Sequence, residues 1–83
     1  MTWRPWLEAR VLHQMQNLPP EASDMLVRTL ARICDDPYDP VFSAPVPPMP
    51  GRRVPDLGDF GFIEFIADEA ERRVRVYYLV WTG

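Results

Sequence analysis

Arg52 and Arg53 stand side by side after Gly51, and Glu64, Arg75, Tyr77 and Trp81 follow toward the C-terminus. Arginine presents a planar fork of donors that grips phosphate or carboxylate bidentately. The tandem cation is therefore read as a local basic spot beside a loop. All nine basic residues are arginines. His13 falls on the polar side of a helical stretch and is expected to be solvated. Cys34, the one cysteine, falls at helical spacing and is expected to be a buried apolar filler. It excludes an internal disulfide framework and a cysteine-rich zinc site. The acidic cluster Asp35, Asp36 and Asp39 is explained by an Asp-Asp-Pro helix end, so neither a metal nor a cofactor is expected.

Periodicity predicts the elements that carry these residues. TWRPWL reads as a short edge strand, because Pro5 cannot donate to a ladder. In EARVLHQMQNL the apolar residues Val11, Leu12, Met15 and Leu18 recur at helical spacing until Pro19 and Pro20 stop the run. A second helix follows in PEASDMLVRTLARICDD, with Pro20 in its first turn and a stripe of Ala22, Met25, Leu26, Leu30 and Ile33. The two helices make an αα-hairpin. Residues 37–56 carry seven prolines and predict an ordered, partly polyproline loop, neither a helix nor an internal strand.

GFIEFIA and RRVRVYYLVW then read as two strands joined by an acidic turn around DEAE. Alternation points Val74, Val76, Tyr78 and Val80 at the helices, and Arg73, Arg75, Tyr77, Leu79 and Trp81 away from them. Pairing Phe65 with Val74 and Ile63 with Val76 keeps all four in the core. That register sets Glu64 opposite Arg75 and predicts a cross-strand ion pair.

At 83 residues the chain is expected to be one domain, 1–83. A net charge of −3 argues against a general nucleic-acid binder. With no signal-peptide pattern and no apolar run of membrane-spanning length, a cytoplasmic protein without membrane contact is expected. Small size, acidic balance and many prolines suggest a protein that works with a partner. An open face with Tyr77, Leu79 and Trp81 predicts association.

Five short pieces add up to a pattern: Trp3-x-x-Trp6 before a helix, LPPEA at 18–22, DDP at 35–37, Gly58-Asp59-Phe60, and the hairpin IEFIADEAERRVRVYYLVW. Together they resemble the RelE/ParE superfamily of toxins of type II toxin–antitoxin systems. The resemblance implies an α+β, RelE-like fold: a short N-terminal strand, an αα-hairpin, then a small, mainly antiparallel sheet of about four strands with the helices on one face. It also implies an antitoxin protein as partner, with a homodimer as the other association to expect. RelE-type members act on the ribosome as mRNA endoribonucleases, whereas ParE-type members block DNA gyrase.

A general ribonuclease mechanism would draw on Arg52, Arg53 and Arg75 to stabilise charge at the phosphate and on Glu64 to move the 2′-hydroxyl proton, with Tyr77 and His13 as further candidates. Tyr77 and Trp81 would bind substrate. In the alternative, they lie beneath the long loop or a partner, and Glu64 and Arg75 form a structural pair. The chain departs from the family at two places. In the family's Gly-Asp-Tyr-Arg step, Phe60 stands for the tyrosine and Gly61 for the phosphate-binding arginine. Where a basic pair and a helix with a catalytic tyrosine often follow, this chain reads Trp81-Thr82-Gly83. Two main readings stand open: an mRNA endoribonuclease toxin, and a RelE-fold protein without catalysis that acts as a binding or regulatory partner. An unrelated small α+β interaction domain is the third.

Overall fold

A computed structural model of the chain describes residues 3–49, 51–55 and 61–81. The backbone runs β1 (Arg4–Leu7), α1 (Ala9–Met15), α2 (Pro20–Asp35), β2 (Ser43–Pro45), β3 (Arg52–Pro55), β4 (Gly61–Asp68) and β5 (Arg73–Trp81). The five strands form one mixed sheet in the order β1-β5-β4-β3-β2. β1 lies parallel to β5 on one edge, and the other pairs are antiparallel.

Pro20 opens α2, where an N–H would have no partner, and Glu21 complements the positive end of the helix dipole. The inner stripe of α2 buries Ala22, Leu26, Leu30, Ile33 and Cys34. With Val11 of α1 and Trp3, most of that stripe meets Ile63, Phe65 and Ala67 of β4 and Val74, Val76 and Leu79 of β5. Both helices thus cover one face of the sheet, while Leu12, predicted to join the α1 stripe, is half exposed. No helix among the described residues is long and apolar enough to cross a membrane.

Two expectations are corrected. The sheet has five strands rather than four, because the proline-rich segment supplies β2 and β3, and β3 is internal between β2 and β4. Pro45 and Pro55 each end a strand, so neither removes a ladder donor from a strand interior. Second, the β4–β5 register differs by two residues from the predicted one. Phe65 pairs with Val76 and Ala67 with Val74, because the hairpin closes through a tight turn at 69–72 with Arg72 in the left-handed region at φ 53°. The turn keeps four residues but sits one position later than DEAE, so Asp68 faces Arg73 at the end of the ladder. A shift of two keeps parity, so Val74 and Val76 still face the core.

Beyond that point the register breaks. Glu64 pairs with Tyr78 while Phe65 pairs with Val76, which leaves Tyr77 as the extra residue of a β-bulge. The bulge reverses the alternation, so Leu79 is buried and Tyr78 is exposed, opposite to the regular pattern. Past the end of β1, α1 covers the edge of β5. The Gln14 side-chain amide donates to the Leu79 carbonyl at 3.1 Å and the Arg10 guanidinium to the Tyr77 carbonyl at 3.4 Å.

Candidate functional site

Ile63, Phe65 and Ala67 point to the helices, so the even-numbered residues of β4 line the opposite, open face. Glu64 is among them. Arg52 at the start of β3 pairs with Ile66 and reaches Glu64 diagonally. Its Nε and Nη2 donate to Glu64 Oε2 at 3.0 and 2.7 Å. The Tyr77 hydroxyl donates to the same oxygen at 2.7 Å. The bulge makes this geometry: as the extra residue, Tyr77 turns toward Glu64 although Tyr78 is the register partner.

The Glu64 side chain is 15% exposed and that of Arg52 is 32% exposed. The Tyr77 hydroxyl bond, seconded by Arg52, holds the Glu64 carboxyl below the ordinary carboxylate range. Burial, then the bond to Glu64, pushes the Tyr77 phenol up to about 12. The cluster therefore holds an ionised carboxylate, a protonated phenol and a guanidinium on one surface. These are the groups that can take a proton, give a proton and stabilise an anion.

The other predicted site residues lie elsewhere. Arg53 follows Arg52 in sequence, so the strand turns it to the opposite face, where it is only 8% exposed. Its Nε and Nη2 donate to Ser43 Oγ and to the Ser43 carbonyl, both at 2.8 Å. The tandem arginines are thus not one basic spot. Arg75 does not pair with Glu64, which corrects the cross-strand expectation. The two-residue register difference puts Ile66 opposite Arg75, and the Arg75 Nη2 and Nε donate to Glu8 Oε1 at 3.0 and 3.3 Å. Trp81 pairs with Gly61 in the ladder and lines a small apolar cavity of about 20 Å³ with Leu18, Ala22, Met25 and Leu26. Leu79, predicted for the open face, is buried against the helices.

Alternation along β4 puts Phe62 on the open face with Glu64, and it is exposed there. Periodicity missed Trp6 and Tyr78, which are exposed too; the Phe62 and Tyr78 rings tilt together at 5.8 Å. Trp6 carries the Arg73 and Arg75 guanidinium groups at 5.1 and 5.6 Å from its ring centre. Only the β1–β5 pairing, a long-range fact, could have brought Trp6 there.

Gly61 is closed to any side chain. Its φ is +142°, and a β-carbon there would stand 2.0 Å from the Val80 carbonyl oxygen. The preceding Gly58-Asp59-Phe60 step and the terminal Thr82-Gly83 lie outside the described residues.

No protein-family model and no curated protein sequence matches the chain. Solved structures do. A chain of the intact E. coli RelBE toxin–antitoxin complex is 13% identical, with a TM-score of 0.83 and 98% of each chain covered. The isolated E. coli RelE toxin matches at 13% identity and a TM-score of 0.83, over 98% of this chain and 85% of that one. A chain of the archaeal RelE–RelB complex from Pyrococcus horikoshii OT3 matches at 18% identity and 0.77, over 100% and 98%. The predicted α+β architecture is thus the observed one, and the chain has the RelE fold.

Proposed function

We propose that this chain is the toxin-like component of a toxin–antitoxin pair, held by an antitoxin protein, and that it cleaves mRNA on the ribosome in the cytoplasm. The observation that carries the reading is the convergence of Arg52 and Tyr77 on one carboxylate oxygen of Glu64, on the open face of the sheet. The similarity to chains of the RelBE and RelE–RelB complexes supports the partner.

In the proposed step the ribose 2′-hydroxyl gives its proton to Glu64 as its oxygen bonds to the adjacent phosphorus. Arg52 has five N–H donors and turns some of them to the phosphate oxygens. The P–O5′ bond breaks, and the departing 5′-oxygen takes the Tyr77 phenol proton. The products are a 2′,3′-cyclic phosphate and a 5′-hydroxyl. Glu64 ends protonated and Tyr77 ionised, and solvent exchange restores both. A phenol pushed up to about 12 stays protonated at neutral pH, as a proton donor must.

Inducing the protein alone in bacterial cells tests this reading. Growth arrest with mRNA cleavage is expected, and Arg52→Ala should relieve both. The second reading, a RelE-fold protein without catalysis, draws on Gly61, where the backbone admits no arginine. Tight antitoxin binding with no arrest at high expression would favour it.

A further inference from the structure

Pairing across the sheet aligns four residues that are scattered in sequence. Trp6 pairs with Arg75, Arg75 with Ile66, and Ile66 with Arg52. All four lie on the open face and span β1, β5, β4 and β3 in a single row. At 4.7–4.9 Å per strand the row is about 14 Å long between its end Cα atoms, with the two arginines about 9.5 Å apart. We propose that this row is the track of a single-stranded nucleic acid crossing the strands: Arg52 and Arg75 hold the backbone phosphates and Trp6 stacks a base. The track rests on the ribonuclease reading, since it begins at the Arg52–Glu64–Tyr77 centre and extends the bound strand beyond it.

Three observations favour this occupant. First, Trp6 sits on the edge strand and is 44% exposed. Both cations near its ring come from β5, and the ring keeps exposed area on the edge strand. Base stacking on an aromatic face beside arginine is a general means of binding single strands without sequence preference. Second, charge is unevenly spread. The chain as a whole carries −3, yet the open face carries Arg4, Arg52, Arg73 and Arg75 against Glu64, Asp68 and the Glu8 carboxylate that reaches Arg75. Third, Glu8 holds Arg75 through Nε and Nη2 onto one oxygen, which fixes the guanidinium plane beside Trp6. The Arg75 side chain is still 45% exposed and keeps donors for a phosphate.

The test is the binding of a short fluorescein-labelled single-stranded RNA of mixed sequence, followed by anisotropy over a range of salt concentrations. Thermal melts of every variant establish folding. Trp6→Ala should weaken binding roughly five- to a hundredfold, and Trp6→Phe should restore most of it. Arg75→Gln should weaken binding and flatten the salt dependence by about one counterion. Binding that falls in Arg52→Gln but is untouched by Trp6→Ala and Arg75→Gln overturns the track and leaves the catalytic reading standing. Binding indifferent to all of them, or no binding by the unmodified protein, overturns the track, while the catalytic reading stands or falls on cleavage at the ribosome. An acidic peptide, polyglutamate, that binds in a Trp6-dependent way where RNA does not would give the row to a protein partner and overturn the track.

Discussion

Gly61 and Val80 face each other so closely across β4 and β5 that a β-carbon at Gly61 would stand 2.0 Å from the Val80 carbonyl oxygen. The same position falls where the resembled family carries a phosphate-binding arginine. Loss of that arginine is therefore built into the backbone. Gly61→Ala is expected to lower stability by at least about 2 kcal/mol, through the left-sided φ and the backbone clash together. Urea unfolding measures it. Gly61→Arg should disrupt the hairpin rather than install a phosphate ligand.

The bulge at Tyr77 makes a contrast between neighbours. Leu79→Ala removes a buried side chain and should cost about 2–5 kcal/mol. Tyr78→Ala trims an exposed ring and should cost about 0.5 kcal/mol. Regular alternation along β5 would give the reverse order, so the two unfolding curves decide the register directly.

That reversal marks where the sequence stops being legible. The helices announce themselves through Pro20 and the stripe Leu26, Leu30 and Ile33, all local signals. Their packing on a sheet follows from the valines of β5. The bulge leaves no local trace, because Tyr77, Tyr78, Leu79 and Val80 are all apolar enough to fit either face. Prolines hid β2 and β3, since a strand ending at Pro45 or Pro55 looks like a loop until its partner strand is known. For the site, Glu64 and Arg52 were legible as chemistry. Their mutual contact was not, because it depends on the β3–β4 register, and β3 lies in the stretch that its prolines make look like a loop.

The two adjacent arginines should separate cleanly. Arg53→Ala strips hydrogen bonds from buried Ser43 and should lower stability by about 1–3 kcal/mol. Arg52→Ala removes a partly exposed ion pair and should change stability by less than about 1 kcal/mol. Thermal or urea melts of both variants read this split, with RNA cleavage lost in the Arg52 variant while its fold persists.

Stability should depend on pH at both ends of the range. The folded carboxyl of Glu64 lies below its ordinary 4.5, so its contribution is present above that value and is lost as pH falls through the lowered pKa. The phenols of Tyr77 and Tyr38 are raised from 10 to about 12, burial being the larger cause and hydrogen bonds to Glu64 and Glu69 the next. Their contribution is complete below pH 10 and is lost as pH climbs toward 12. Tyr77→Phe should raise the Glu64 pKa, measured by carboxyl NMR titration, and remove Tyr77's share of the alkaline loss.

The most direct measurement is in vitro. Purified protein is added to ribosomes paused on a defined mRNA, and the cut ends are mapped and their chemistry identified. The unmodified protein should leave a 2′,3′-cyclic phosphate and a 5′-hydroxyl, and folded Glu64→Gln should leave the message intact. An uncut message at excess folded protein, or equal cutting by Glu64→Gln, would contradict a catalytic centre at Glu64.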